Sequence, residues 1–174
     1  MNIPISVSEA IRQKRAIRQF DERALPEEAV IAILNAGRRS QSAKNIQPWN
    51  FIAIRDRKTL GALSKLGTWA GHLAGAALGI AILTPDPASR FSVMFDAGQA
   101  AAYMQLAAWE LGIGSCLATI YETEQARQLL GFPEDLHLRI ALSFGYPLDE
   151  EVLSQPPRRG GRKTLNEVAH WERW

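Results

Sequence analysis

The sequence is poor in cysteine and histidine, and this shortage excludes several kinds of active site. Cys116 is the only cysteine, so the chain can form neither an intrachain disulfide nor a cysteine-based zinc site. The three histidines are widely separated and lack the spacing of metal ligands, so we expect no metal centre. The run 113–120 around Cys116 is apolar, and we interpret this thiol as a small buried side chain rather than a nucleophile.

The chain also lacks a strong net charge and a long apolar run. Its 20 basic and 18 acidic side chains give a net charge of +2, which argues against a nucleic-acid-binding surface. The longest apolar stretch, residues 73–83, is too short and too rich in glycine to cross a bilayer, and the N-terminus does not have the pattern of a signal peptide. We therefore expect a cytoplasmic protein with no nucleic-acid or membrane partner.

The sequence does contain enough apolar residues to build one core. Of its 174 residues, 47% are hydrophobic and 22% are charged, which is typical of a globular protein. We predict a single domain over residues 1–174. After Pro147 the apolar period disappears, which indicates that residues 148–174 are an extended arm rather than part of the core.

Helical and strand patterns along the chain predict an α+β or mixed α/β fold with about four strands. The apolar run 76–83 predicts a central strand that is buried on both faces. A long helix predicted to begin at Asp96 is apolar nearly all round, so we expect a second subunit to cover part of it.

Capping boxes at residues 6–9 and 164–167 predict the starts of the first and last helices. We expect the first helix to end near Arg15. Trp171 and Trp174 are three residues apart in the predicted terminal helix, so they should share a face and pack on a partner chain.

Two kinds of segment could bind a ligand. Basic residues cluster at 12–18, 37–39 and 158–163, which fits either solvated surface or one small dianion such as a phosphate. Gly37 is expected to close the second helix, and the polar stretch that follows leads into the loop SAKNIQPWNF at 42–51. That loop is either a turn feeding a strand or a binding loop that offers amide groups to a planar ligand.

Common catalytic motifs are missing from the chain. It contains no P-loop and no G-x-S-x-G motif, and its GIGSC segment lacks the third glycine of a dinucleotide-binding turn. An enzyme with so few acid, base or nucleophile candidates usually takes its chemistry from a cofactor. We accordingly assign no catalytic side chain.

Three segments together, KRAIRQF at 14–20, SAKNIQPWNF at 42–51 and GRKTLNEVAHW at 161–171, resemble the nitroreductase-like FMN flavoenzymes. Members of that family have an Arg-Arg-Ser-x-Arg-x-Phe segment after a first helix and a loop that ends Asn-x-Gln-Pro-Trp. They also have a Leu-Gly-x-Gly-Ser-Cys turn after a long central helix, and a basic residue before a C-terminal helix. The order and spacing match from about residue 5 to residue 171.

The resemblance implies an obligate homodimer of α+β subunits, each with a mixed central β-sheet surrounded by helices and a C-terminal arm, 148–174, that packs on the partner. One FMN would lie in each of two sites at the interface. The residues that it assigns to cofactor binding are Arg15, Ala16 and Arg18 for the phosphate and pyrimidine edge, Asn45 and Gln47 for the polar atoms of the flavin, Leu117, Thr119 and Ile120 beside the ring, and Arg162 or Lys163 for the phosphate.

Several of these roles are more specific. The backbone N–H groups of Thr119 and Ile120 would lie near flavin N5 and O4. Asn45 would come from the loop of the other chain, and Gln47 would either do the same or brace the loop. Trp49 is interpreted as a packing anchor rather than a stacking partner.

The implied activity is that of an FMN-dependent NAD(P)H oxidoreductase. NADH or NADPH would deliver hydride to FMN, and a nitroaromatic, quinone or similar small-molecule electrophile would then accept it, in ping-pong fashion. The alternatives are a flavin-binding protein without turnover and a specialised FMN enzyme for dehydrogenation, dehalogenation or flavin fragmentation.

The sequence departs from the family pattern at three places. Ala16 stands where serine is usual, and Thr119-Ile120 replaces a glycine-containing pair. The insertion that forms a substrate lid in longer members is missing between Trp69 and Ala77, which predicts a wide pocket.

Overall fold

A computed structural model of the chain describes residues 5–154 and 161–174. The described residues form six α-helices and one four-stranded sheet. The helices are α1 (Val7–Gln13), α2 (Glu27–Arg38), α3 (Arg57–Leu63), α4 (Ser92–Glu110), α5 (Thr123–Leu130) and α6 (Leu165–Val168). The strands are β1 (Asn50–Ile54), β2 (Leu78–Thr84), β3 (Gly114–Thr119) and β4 (His137–Gly145), and short 3-10 turns cover Ala43–Asn45, Gly71–Leu73 and Glu150–Leu153.

The sheet has the spatial order β1-β2-β4-β3, and its three strand pairings are all antiparallel. The α+β class is confirmed. Within the described residues, the parallel component of the sheet is a single bridge between Ala16 and Ser115. Strands β1 and β3 are the two edges, so they are separated by three strand spacings, about 14 Å.

Two apolar layers cover the two faces of the sheet. One contains side chains of α2 and α4, with Ile33 and Met104 fully buried, and the other contains Leu60 of α3 and Ala126 of α5. Every residue of β2 is buried as a result, which confirms the prediction of a central strand covered on both faces.

Three helix boundaries differ from the sequence-based predictions. Helix α4 begins at Ser92, four residues before Asp96, and the Asp96 carboxylate accepts an N–H from a different segment instead of capping its own helix. Gly37 lies inside α2 rather than closing it, and a Cβ built there would be 2.2 Å from Cε of Met104. Helix α1 ends at Gln13 rather than near Arg15.

The two capping boxes also differ in outcome. Thr164 and Glu167 form the complete box at the start of α6. At α1, Ser6 accepts the N–H of Glu9 at 3.2 Å, whereas the Glu9 carboxylate accepts from Arg12 instead of turning back to the cap. Only half of the first capping box is therefore formed.

The C-terminal segment is less helical than expected. Helix α6 ends at Val168, because Ala169 adopts an extended conformation with φ −119° and ψ 123°. Trp171 and Trp174 therefore do not share a helical face, and Trp174 instead lies against the ring of His170 at a centroid distance of 4.2 Å. Residues 158–160, part of the third basic cluster, lie outside the described residues.

The surface of a single chain is unusually large and apolar. The accessible area is 11123 Å², whereas a monomeric protein of 19.3 kDa exposes about 8500 Å². Many large hydrophobic side chains contribute to it, among them Val7, Ile11, Trp69, Phe91, Phe95, Tyr103, Leu117, Trp171 and Trp174. So many exposed large hydrophobic side chains are typical of a surface that another chain covers. In the described part of the chain, no helix combines the length and apolar character needed to cross a membrane.

Candidate functional site

The basic segment after α1 is held against the start of β3. Ile17 donates its N–H to the carbonyl of Ser115 at 2.9 Å, next to the parallel bridge between Ala16 and Ser115. Gly114 permits this close approach, since a Cβ built there would be only 2.7 Å from Cβ of Ile17. These contacts fix the segment 14–18 beside the start of β3.

Gly114→Ala should disturb this docking directly. The added methyl group overlaps Ile17, so we expect the unfolding free energy to fall by about 1–3 kcal/mol, the usual range for overpacking. Urea denaturation measures this change. Gly61→Ala is the matched control, because Gly61 lies in α3 with nothing within 4 Å of a built Cβ, and it should stabilise the protein by about 0.5–1 kcal/mol. Equal effects of the two substitutions would contradict the tight docking.

Three cations lie near enough to this docked segment for their charges to act on Lys14 or Cys116, and we call them the basic cluster: Lys14, Arg18 and Arg162. Lys14 is half-buried and donates to Oε1 of Gln105 at 2.9 Å. Burial lowers the pKa of Lys14, and the charge of Arg162 lowers it further against the opposing effect of Cys116. Arg18 and Lys14 both lie close enough to Cys116 to lower the pKa of its thiol, although burial raises that pKa overall.

The basic cluster has cations without matching carboxylates. The ion pairs among the described residues are formed by other side chains, and none involves Lys14, Arg18 or Arg162. A half-buried lysine beside a second cation is stabilised when an anion joins it. The donor set of one ammonium and two guanidinium groups therefore fits a small dianion.

Lys14, which the sequence analysis did not assign to the site, lies in the basic cluster, whereas the assigned Arg15 does not. Lys14 stands at the first arginine of the family segment, so the motif itself carried the signal. Arg15 turns the other way: its Nε donates to the carbonyl of Gln13 at 3.2 Å, and its guanidinium lies 5.9 Å from the ring centroid of Trp109. These contacts hold Arg15 against the α1–α4 layer and not in the basic cluster.

Strand β3 corrects one of the predicted flavin contacts. Ile120 is fully buried, and its N–H donates to the carbonyl of Arg139 at 3.0 Å, so neither group is free for a ligand. Because hydrogen-bonded residues alternate along an antiparallel strand, the N–H of Thr119 points to the open edge of the sheet. Thr119 and Leu117 are exposed on one face, as the assignment requires.

The polar loop, residues 42–47, has an unusual backbone. Three of its residues have positive φ without being glycine: Lys44 at 55°, Asn45 at 55° and Gln47 at 52°. Such a conformation costs about 1–2 kcal/mol per residue, although asparagine tolerates it better than most. Ser42 stabilises the turn by accepting the N–H of Gln47 at 2.9 Å and the N–H of Asn45 at 3.0 Å.

The loop exposes its two amide side chains. Asn45 is exposed, and Gln47 turns back to place Nε2 3.4 Å from the carbonyl of Asn45, which favours the bracing role. Trp49 is buried in the apolar layer under α2 and α4, so its interpretation as a packing anchor is confirmed. The loop therefore presents Asn45 outward from a fixed base.

The polar loop and the basic cluster lie apart in one chain. Helix α4 contacts both, through Asp96 at the loop and Gln105 at Lys14. Nine residues of helical rise separate these two positions, which is about 13.5 Å. The loop also leads into edge strand β1, whereas the basic cluster borders the opposite edge, β3. One chain alone therefore cannot bring Asn45 into contact with a small anion in the basic cluster.

His72 lies next to the site as a buried packing residue. Its Nδ1 is 2.7 Å from Oγ of Ser143, and that hydroxyl in turn donates to the carbonyl of Cys116 at 3.4 Å. Burial lowers the pKa of His72, and the charge of Arg18 lowers it further. His72 is thus a buried residue that is hydrogen-bonded to the central strand β4.

The lowered pKa of His72 makes stability depend on pH. Below about pH 6.5 the unfolded chain binds a proton at this residue that the folded chain resists, so the unfolding free energy falls as the pH drops. We expect the thermal midpoint to fall between about pH 7.5 and pH 5.5, and to fall less in His72→Gln. Glu9, Asp56 and Glu167 also have lowered pKa values, but their stabilisation is lost only at more acid pH. Identical pH profiles would contradict the assignment.

Comparison with known proteins shows which family this chain resembles. The model of the nitroreductase family matches residues 11–71 and 62–146. A protein of Archaeoglobus fulgidus, provisionally named an NADH dehydrogenase/NAD(P)H nitroreductase, is 32% identical over 171 residues, which is 94% of this chain and 96% of the relative. An iodotyrosine deiodinase of Thermotoga neapolitana is 26% identical over 79% of this chain and 87% of its own length.

Solved structures agree with this fold. An FMN-dependent nitroreductase from Clostridium difficile superposes with a TM-score of 0.83 at 26% identity, over 95% of this chain and 98% of the neighbour. The oxidoreductase YcnD of Bacillus subtilis, whose function is named only as hypothetical, superposes with a TM-score of 0.85, but this chain covers only 74% of that longer one. The chain belongs to the nitroreductase family. It is an oxidoreductase.

Proposed function

We propose that the protein is an FMN-dependent NAD(P)H oxidoreductase whose cofactor lies between the basic cluster of one subunit and the polar loop of another. The observation that carries this proposal is the convergence of Lys14, Arg18 and Arg162 without a carboxylate partner among the described residues. The named FMN-dependent nitroreductase with the same fold supports the choice of cofactor.

The residues present fit the phosphate of FMN. Lys14 is a half-buried point charge held by Gln105, and guanidinium groups bind phosphate oxygens in pairs. Arg162 would bind from the C-terminal arm, with exposed Lys163 beside it. Ala16 is exposed next to these cations and offers no hydroxyl, so the cluster relies on charge more than the usual family segment does.

The flavin ring would lie along the open edge of β3. The Thr119 N–H points to that edge, and the exposed side chain of Leu117 offers an apolar surface for the ring. Asn45 of a second subunit would donate to the polar atoms of the flavin. The side chains of Arg15 and Gln47 donate to backbone carbonyls of their own segments. They would therefore support the site without contacting the flavin.

When bound, FMN supplies the hydride chemistry, taking hydride from NADH or NADPH and passing it to an electrophilic acceptor. The protein binds the phosphate, orients the ring and leaves one face open. Our proposal requires no side chain to act as an acid or a base. The turn at residues 71–73 connects α3 to β2 without a lid insertion, so the site admits flat acceptors such as nitroaromatics and quinones.

A homodimer would complete both the fold and the site. The chain exposes about 2600 Å² more than a monomer of its mass, which fits the area that an obligate dimer buries. Helix α4 has an exposed stripe with Phe95 and Tyr103 on either side of small residues such as Gly98 and Ala102. We propose that this stripe and the arm, residues 148–174, pack on the partner, and that residues 1–174 act as one domain.

Dehalogenation is the second candidate function, since one relative is named an iodotyrosine deiodinase. Both activities would use the same FMN site and differ in the acceptor. A flavin-binding protein without turnover is the remaining alternative, and it differs from both in lacking steady-state activity.

The visible absorption spectrum of the purified protein tests the proposal. After incubation with FMN and desalting, we expect a retained flavin spectrum that bleaches under argon when NADH or NADPH is added. Reoxidation by a nitroaromatic, a quinone or a halotyrosine then identifies the acceptor class. A protein that retains no FMN would refute the site, and a flavin that neither nucleotide bleaches would refute the reductase activity.

A further inference from the structure

Asp96 is a buried side chain whose carboxylate accepts a hydrogen bond from the polar loop. Its side chain is on α4 and only 3% exposed, yet it does not cap its own helix. Both carboxylate oxygens accept the N–H of Ala43, at 3.2 and 3.3 Å. Burying a carboxylate is costly unless hydrogen bonds compensate for the lost hydration. The hydrogen bond to the polar loop provides this compensation for Asp96.

The Ala43–Asp96 contact ties the polar loop to the helical layer. Among the described residues, the other hydrogen bonds recorded for residues 42–47 join loop residues to one another, through the hydroxyl and carbonyl of Ser42 and the carbonyls of Ala43 and Asn45. These internal bonds shape the turn but do not fix where it sits.

The strained backbone makes that tie important. The loop holds three non-glycine residues at positive φ: Lys44, Asn45 and Gln47. Such conformations persist only where the surroundings impose them, and they often mark functional loops. A loop released at Ala43 would relax away from the conformation that exposes Asn45.

We propose that Asp96 is a positioning residue for Asn45: it clamps the N–H of Ala43 and so fixes the loop that presents Asn45 to the flavin. This inference rests on the proposed function. Asp96 is buried under the loop, so its effect on FMN binding would pass through the loop.

A double-mutant cycle on the FMN dissociation constant tests the clamp, with quenching of flavin fluorescence as the signal. We expect Asp96→Ala and Asn45→Ala each to raise the dissociation constant about tenfold. The double variant should bind no more weakly than Asn45→Ala alone, because a residue that acts only through Asn45 has nothing left to position. Asp96→Asn keeps an oxygen that can accept from Ala43 and should restore most of the affinity.

A matched control separates positioning from general stability. Asp56 also accepts a backbone N–H, that of Thr59 at 2.7 Å, but it does so at the start of α3 and away from the polar loop. Asp56→Ala should lower the thermal midpoint and leave the FMN dissociation constant unchanged. Ala43→Pro removes the N–H donor and leaves Asp96 in place. Ala43 is the first residue of the turn Ala43–Asn45, a position that suits proline. This variant should weaken FMN binding as Asp96→Ala does. This variant serves if Asp96→Ala does not fold.

Hydrogen exchange of the loop gives a readout that needs no cofactor. The amides of residues 44–47 should exchange faster in Asp96→Ala than in the wild type, and at the wild-type rate in Asp96→Asn. If wild-type protein binds FMN but the two losses multiply in the double variant, the clamp is refuted and the proposed function stands. If wild-type protein binds no FMN, the proposed function fails, and slow exchange would show only that Asp96 orders the loop.

Discussion

Replacing Lys14 with alanine is expected to remove most of the FMN from the purified protein. Lys14 is the most buried cation of the basic cluster, and a charge-assisted hydrogen bond contributes about 1.5–3 kcal/mol. The FMN dissociation constant should therefore rise by about 10- to 100-fold, as measured by fluorescence titration. Its lowered pKa also predicts that FMN affinity declines on the alkaline side, at a lower pH than an ordinary lysine would give.

The control for Lys14→Ala is in the same segment. Arg12 is an exposed cation of α1 that pairs with Glu9, so Arg12→Ala removes the same formal charge without touching the basic cluster. It should leave the dissociation constant unchanged at physiological ionic strength. A loss of affinity equal to that of Lys14→Ala would mean that net charge, and not the cluster, attracts the cofactor.

Two variants that bind FMN weakly are expected to complement each other in a mixed dimer. Arg18→Ala damages the basic cluster and Asn45→Ala damages the polar loop, and the two parts lie too far apart to share one site within a chain. If each site takes its cluster from one subunit and its loop from the other, a mixed dimer has one intact and one doubly damaged site. Random association of co-expressed chains should then give about a quarter of intact sites.

This experiment is measured with two affinity tags, which allow the mixed dimer to be purified and its bound FMN and turnover counted. A chain with both substitutions, paired with wild type, is the control: it has one damaged element in each site and should show no intact site. The opposite result, an active control dimer and an inactive dimer of the two single variants, would contradict a shared site and would place both elements in one subunit.

The parts of the structure that sequence predicted well are those with local causes. The buried strand β2 followed from an unbroken apolar run, and α5 ends at Gly131 in the left-handed conformation expected of a helix C-terminus. The basic segment and the polar loop could also be located, because each has an unusual density of charged or amide side chains. Local pattern was enough to find these elements.

The misses have long-range causes. Asp96 looked like a helix start because aspartate favours that position, yet its carboxylate caps residue 43, more than fifty residues earlier. Ile120 was assigned to the flavin from its place in a motif, but the pairing with β4 consumes its N–H. Lys14 and Arg15 are neighbours in sequence, but Lys14 donates to Gln105 whereas Arg15 lies against Trp109. A short stretch of sequence does not reveal any of these long-range contacts.

The exposed aromatic side chains should make the stability of the protein depend on its concentration. Phe91 is 97% exposed and Trp69 is 82% exposed, together with much of the stripe on α4. When assembly hides such surface, the fraction of well-protected molecules depends on how many copies are present. Dilution should therefore lower the apparent melting temperature, and an unpaired newly made copy should be a target for chaperones and proteases until it meets a second one.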